Sequence, residues 1–195
     1  MTEPPAPRFV GAFPRADVTL DPPLSEVAFL GRSNVGKSSL INALVGRRIA
    51  KVSGTPGKTR AMNVFEIPAT PRVYYLLDLP GYGYARVSKA ERTAFASLLR
   101  HVVARPRLTG VVWLLDIRHD PSAGDKDMQD LLASSGTRVL AAVTKSDKLS
   151  RTRRAERAAA LRDSLGLDAD QLVVTSAQTK EGLDELREAV TALVS

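Results

Sequence analysis

The sequence contains no cysteine, which excludes disulfides, thiolate metal centres and a cysteine nucleophile. Histidine occurs only twice, at His101 and His119, too few for a histidine metal cluster. The first falls in a helical pattern and the second in a loop, and both read as incidental surface residues. Aromatic residues make up 5% of the chain and do not interleave with its basic runs, so no stacking platform for single-stranded bases is encoded. No apolar run is long enough to span a bilayer, and no signal-peptide pattern opens the chain. The expectation is a soluble cytoplasmic protein. Acidic residues are outnumbered 21 to 28 by lysine and arginine, leaving a net charge of +7.

That excess is clustered. Arg47, Arg48, Lys51, Lys58 and Arg60 lie in a stretch without an acid. Lys145, Lys148, Arg151, Arg153, Arg154, Arg157 and Arg162 are accompanied by only Asp147 and Glu156. Either cluster suits a polyanion, contacted through phosphates and shape. The second fits an ordinary solvated helix face equally well.

With 195 residues, 44% hydrophobic and 25% charged, the chain reads as one globular domain able to bury a core. Residues 1–25 hold six of the twelve prolines and predict an extended arm, with Phe9, Val10 and Phe13 packed on the domain that occupies 26–195. Beyond the arm, buried strand-like runs alternate with helical stretches, the pattern of a parallel sheet wrapped by helices. Strands are predicted at Val27–Leu30, Asn63–Ile67, Val73–Asp78, Gly110–Asp116, Val139–Thr144 and Leu172–Thr175. Helices are predicted at Lys37–Val45, Lys89–Val103, Asp125–Ser134, Arg151–Ser164 and Leu183–Leu193. A turn at 68–72 makes the second and third strands antiparallel. The fold class is therefore α/β: a six-stranded, mostly parallel sheet with one antiparallel strand and helices on both faces.

Residues 31–38 read Gly-Arg-Ser-Asn-Val-Gly-Lys-Ser, the G-x4-G-K-S pattern of a phosphate-binding P-loop. By chance this pattern arises in roughly one chain in a hundred of this length; a strand before it and a helix after it make chance a poorer explanation. Gly31 and Gly36 allow backbone angles that aim consecutive N–H groups at phosphate oxygens. The helix start adds unpaired donors and a positive dipole end. Lys37 would bridge the outer phosphates, and the Ser38 hydroxyl would ligate Mg²⁺.

Three further strings fall at predicted strand ends, where open α/β sheets gather ligand-binding residues. Asp78-Leu79-Pro80-Gly81 places a carboxylate to hold Mg²⁺ through a water and an unhindered Gly81 N–H for a γ-phosphate. Thr144-Lys145-Ser146-Asp147 offers a carboxylate that can accept from guanine N1–H and N2–H₂ together, with the Lys145 stem over the base. Ser176-Ala177 offers a backbone N–H to guanine O6. Adenine would leave the acid unpaired, and sites of this kind discriminate by about 10⁴–10⁵. Between the P-loop and Asp78 lies Ser53-Gly54-Thr55-Pro56-Gly57-Lys58-Thr59-Arg60, a hydroxyl-rich loop. Thr55 and Thr59 both qualify by chemistry to ligate Mg²⁺ and sense the γ-phosphate. Residues 81–88, including Tyr82, Tyr84 and Arg86, form a second such stretch.

These motifs resemble the EngB/YihA/YsxC GTPases, within the wider TrmE-Era-EngA-YihA-Septin-like group of P-loop GTPases. The resemblance rests on GRSNVGKSSLIN at 31–42, TPGKTR at 55–60, DLPGYGYARVSK at 78–89, TKSD at 144–147 and TSAQTKEGLDEL at 175–186. It implies GTP/GDP as ligand, Mg²⁺ on Ser38, Thr59 and Asp78, a role in large-ribosomal-subunit assembly, and a septation phenotype on loss. It also singles out Thr59 over Thr55. Arg60 departs from a glutamine common in the family. The implied nucleotide contacts are Gly31, Arg32, Ser33, Asn34, Val35, Gly36, Lys37, Ser38 and Ser39; Gly57, Lys58, Thr59, Arg60 and Ala61; Asp78, Leu79, Pro80 and Gly81; Thr144, Lys145, Ser146 and Asp147; and Thr175, Ser176 and Ala177. Lys37, Thr59 and Gly81 are the implied catalytic groups.

Phosphoryl transfer asks chiefly for positioning and charge neutralisation. A water-orienting glutamine after Asp-x-x-Gly is lacking, because the position holds Tyr82. Slow intrinsic hydrolysis follows, with acceleration from outside; Arg60 and Arg86 are candidate arginine fingers or phosphate contacts. Asn34 matches potassium-stimulated relatives in which an asparagine oxygen helps hold a monovalent cation, although a loop asparagine also favours an unusual turn. Thr144 replaces the usual asparagine and implies weaker nucleotide binding with fast exchange. The leading reading is a monomeric assembly GTPase that docks on pre-ribosomal RNA and proteins when GTP-bound and makes no membrane contact. The alternatives are a protein-binding signalling GTPase of cell division without RNA contact, and a metabolic P-loop kinase, for which no acceptor site is visible.

Overall fold

Apolar runs too short for helices and rich in β-branched residues become the strands of one sheet, and the longer amphipathic stretches become its flanking helices. The computed structural model describes residues 5–51, 61–69, 72–83 and 88–195. Its strands are β1 (Arg8–Phe13), β2 (Ser25–Gly31), β3 (Met62–Ile67), β4 (Tyr74–Asp78), β5 (Leu108–Asp116), β6 (Val139–Thr144) and β7 (Leu172–Val174). Its helices are α1 (Lys37–Val45), α2 (Lys89–Val103), α3 (Ala123–Ser135), α4 (Arg151–Ser164) and α5 (Leu183–Val194). The strand order is β1-β3-β4-β2-β5-β6-β7. β3 runs antiparallel to both β1 and β4, and every other pairing is parallel. A single strand is thus reversed.

The sheet has seven strands rather than the six expected. The additional one, β1, comes from the segment read as an extended arm. Its residues Arg8 to Phe13 pair with β3 through a register irregularity between Phe9 and Gly11. Such an edge strand needs burial on one face only, so its sequence carries a weak signal. The packing of Phe9 on Phe65, with ring centroids 5.4 Å apart, agrees with the expected contact. Further along, the Arg105 guanidinium donates to the carbonyls of Ala16 and Val18 and pairs with the buried Glu26 carboxylate. One cation thereby fastens the connection ahead of β2 to the end of α2.

Alternation along β2 divides the core. Val27 and Phe29 face α1 and α5, meeting Leu40, Ile41, Leu44, Leu186 and Val190. Ala28 and Leu30 face α2 and α3, meeting Leu98, Leu99, Val102, Met128 and Leu132. Burial on both faces is why the central strands read as unbroken apolar runs. Serine capping boxes start α2 and α3: Ser88 with Glu91, and Ser122 with Asp125. No described helix is long and apolar enough to cross a membrane.

Candidate nucleotide-binding site

The C-terminal ends of β2, β4, β6 and β7 carry the four sequence strings, and hydrogen bonds tie these ends together. β2 stops at Gly31, where a Cβ would sit 2.8 Å from Val35 Cγ1 and 2.9 Å from Leu114 Cβ. The loop then turns through Asn34 (φ 65) and Gly36 (φ 102) before α1 begins at Lys37. Left-handed angles at these two residues curl the loop back on itself, the shape an anion nest requires. Val35 is buried in the core, while Ser33, Ser38 and Ser39 are partly exposed.

Lys37 Nζ donates to Asp78 Oδ1. Asp78 closes β4 and is 3% exposed; its second oxygen lies 3.4 Å from Asn63 Nδ2. Leu79 and Pro80 are buried behind it, and Gly81 is exposed. A Cβ on Gly81 would come within 3.0 Å of Ser33 N and Cα, so the Asp-x-x-Gly turn lies directly against the P-loop. Two main-chain bonds fix that approach: Tyr82 N donates to Gly31 O at 3.2 Å, and Ser33 N donates to Tyr82 O at 2.9 Å.

From the other side comes the loop after β6. The Thr144 hydroxyl lies 2.7 Å from Val35 O and 3.1 Å from Leu115 O. Lys145, held at φ 63, donates from Nζ to Asn34 O at 2.6 Å and pairs with Asp116 at 2.9 Å. The Asp147 carboxylate accepts from Ser176 Oγ at 2.7 Å and lies 3.1 Å from Lys148 Nζ. That serine hydroxyl, more than the nearby lysine, holds the Asp147 carboxyl below the usual aspartate range and keeps it an acceptor. Ser146 and Thr175 are fully buried and joined by a main-chain bond of 3.2 Å, and Ala177 is half-buried. The arrangement offers a nest of N–H groups, an ammonium, a buried carboxylate and, one loop away, a second carboxylate for a base edge.

Of the sequence-predicted residues, those from 31–39, 78–81, 144–147 and 175–177 are brought together. The Arg32 side chain is an exception. It reaches under Gly83 toward Asp125, 3.7 Å from that carboxylate, and not into the loop. Ala61 is half-buried just ahead of β3. Gly57, Lys58, Thr59 and Arg60, with Thr55 and Arg86, lie outside the described residues. His101 and His119 are exposed, as expected.

Sequence reading passed over several residues that shape the site. Asp116 ends β5 and holds both Lys145 and Arg118. Burial by itself would raise its carboxyl, but the Arg118 and Lys145 cations outweigh that and hold it well below the usual range. Asp125 receives the Tyr82 hydroxyl at 2.8 Å, and Trp113 Nε1 donates to that same hydroxyl at 2.7 Å. The tyrosine is 8% exposed. A serine three residues before Asp125 signals a helix cap; nothing local signals its tyrosine partner. A cavity of about 380 Å³ opens between the P-loop and the β5–α3 connection, lined by Arg32, Asn34, Asp116, Arg118 and Lys145 among others. Lys37, Ser38, Asp78 and Asp147 do not line it, so it lies beside the expected nucleotide path.

A P-loop opening α1, an aspartate-glycine turn against it and a guanine-type acid on the β6 loop define the class of P-loop GTPases. A family model described as 50S ribosome-binding GTPase matches residues 26–145. A probable GTP-binding protein EngB from Gemmatimonas aurantiaca is 48% identical over 174 residues, spanning 88% of this chain and 84% of that protein. Another from Clostridium perfringens is 46% identical over 169 residues, 85% and 84% respectively. The chain belongs to the EngB family of GTP-binding proteins. Among solved structures, a probable GTP-binding protein engB shares the fold with a TM-score of 0.69 at 21% identity, over 87% of this chain and 98% of that one. Era in complex with MgGDPNP and nucleotides 1506–1542 of 16S ribosomal RNA does so at 0.72 and 23%, over 88% and 57%.

Proposed function

We propose that this chain is a slow GTPase that switches with nucleotide during assembly of the large ribosomal subunit, and that normal septation depends on it through that role. The observation that carries the slow-switch reading is the burial of Tyr82. Its hydroxyl is bonded between Trp113 and Asp125, so the side chain that follows Asp-x-x-Gly is turned into the core and orients no attacking water. The P-loop N–H groups and Lys37 would neutralise phosphate charge, and the Gly81 N–H would meet the γ-phosphate. Thr59 would complete the site from the segment outside the described residues.

Mg²⁺ fits the donors present. The Ser38 hydroxyl and Asp78 carboxylate are hard oxygen ligands, and Mg²⁺ commonly keeps several waters beside one or two protein groups and the phosphates. When bound, it would supply charge neutralisation between the outer phosphates. Asn34 stands in the left-handed conformation that the turn reading expects, and its exposed side chain leaves its oxygen available to a monovalent cation beside the phosphates. Equal hydrolysis rates in potassium and sodium buffers, with and without ribosomal particles, would remove that element.

The charge distribution narrows the RNA-facing surface. In the α4 cluster, Lys145, Lys148, Arg154, Arg157 and Arg162 all engage acids of this chain. Arg48 and Lys51 are exposed after α1, in the segment leading to residues 52–60, and they make the better phosphate-facing surface. The test is sedimentation of lysate containing the tagged chain with a GTP analogue or GDP. Co-migration with large-subunit precursors under the analogue, weakening steeply as salt rises, is the expected result. Migration with those particles regardless of nucleotide, or with none, would contradict it.

A further inference from the structure

Guanine is read by two loops at once: a carboxylate from the β6 loop accepts from N1–H and N2–H₂, and a backbone N–H from the β7 loop donates to O6. Neither contact survives unless the two loops keep a fixed separation, to within about 0.5 Å. The Ser176–Asp147 hydrogen bond is one tie between them. The main-chain bond from Ser146 N to Thr175 O, at 3.2 Å, is a second.

Glu181, in the connection between β7 and α5, supplies a third tie through its side chain. Its Oε2 accepts from the Ser146 hydroxyl at 2.5 Å, and its main-chain oxygen accepts from Ser176 N at 3.0 Å. Arg154 of α4 donates to both carboxylate oxygens, at 2.9 and 2.8 Å. Resting on the guanine reading of this site, we propose that Glu181 is a positioning residue for base specificity, locking the β6 loop to the β7 loop so that Asp147 and the Ala177 N–H present one rigid edge.

Two features distinguish this from an incidental ion pair. The Arg154–Glu181 pair is 27% and 40% exposed, and such pairs alone contribute little. The Ser146 contact differs: Ser146 is fully buried between Lys145 and Asp147, and its short hydrogen bond to a carboxylate is charge-assisted. Lys145, next in the chain, stands in a left-handed conformation that persists only where surrounding contacts over-determine it. Arg154 then serves to keep the glutamate aimed.

The test is calorimetric titration of the full chain with Mg²⁺ and GTP, GDP, inosine triphosphate or ATP, together with steady-state hydrolysis. Glu181→Ala is expected to weaken GTP and GDP equally, by about tenfold. It should weaken inosine triphosphate less, because that base lacks the amino group Asp147 would receive. Turnover at saturation stays unchanged while KM rises. Glu181→Gln keeps an acceptor for Ser146 and should recover most of the loss, and Arg154→Ala should stay within about threefold of the parent. Equal loss for GTP and inosine triphosphate, a fall in turnover, or no loss at all would overturn the proposal. Should Glu181→Ala not fold, Glu181→Asp, whose shorter side chain withdraws the carboxylate from Ser146, carries the same expectations. An unaltered chain that binds ATP as tightly as GTP would defeat the guanine reading itself, before any variant is compared.

Discussion

The hydroxyl of Thr144 has one proton and two neighbouring carbonyls, Val35 O and Leu115 O. It is spent on the P-loop and β5, with no reach left for a base. Thr144→Val keeps the shape and removes the donor, taking the hydroxyl partner from Val35 O in the interior. A loss of about 1–3 kcal/mol in urea unfolding is expected; an unchanged midpoint would count against the contact. For the same reason nucleotide affinity should be weaker than nanomolar by calorimetry. Asp116 carries a pH signature. Its carboxyl is held down by Arg118 and Lys145, so its stabilising contribution is complete above the unfolded value near 3.9. The contribution is lost as pH falls through the lowered folded value. Asp116→Asn should therefore lower unfolding stability at pH 7 by about 1 kcal/mol given its half-exposed partners, and the gap to the parent should narrow below about pH 4. A gap that is constant or widens with acid would contradict the pairing.

Among the elements, the end of the Asp-x-x-Gly turn and the N-terminus of α3 are joined by one buried hydroxyl. Tyr82→Phe removes it and strands Trp113 Nε1 and an Asp125 oxygen. The expected cost is about 1–3 kcal/mol in thermal unfolding, with saturated GTP turnover unaltered. Turnover falling tenfold or more in a folded variant would give the hydroxyl a chemical role the geometry denies it. The sequence made the absence of glutamine legible at once. It could not reveal where the tyrosine goes, because Trp113 and Asp125 are 31 and 43 residues away. The same limit hid β1. An edge strand needs pattern on one face only, and its glycine, with the flanking Pro7 and Pro14, disguised that face. Helix bounds, by contrast, read well where a serine cap or a terminal glycine marks them: α1 and α2 fall where expected, and α3 begins two residues early, behind Ser122.

For the whole molecule, the alternation of buried strands with helices and the convergence of four loops follow from apolar runs and motif spacing, and both were legible; the order of the strands was not. Less legible were the side chains that hold those loops at fixed separations. Asp116, Glu181 and Arg154 act through partners far along the chain, and no local pattern announces such a role. The basic excess shows a related limit: most of the α4 group pair with the chain's own acids, which their clustering in sequence does not reveal. The most direct test of the central claim is a crystal structure with Mg²⁺ and a non-hydrolysable GTP analogue. Lys37 is expected to leave Asp78 and contact the outer phosphates, while the Asp147 carboxylate lies within about 3.2 Å of guanine N1 and N2. A nucleotide bound elsewhere, or Lys37 still paired with Asp78 beneath it, would contradict the account.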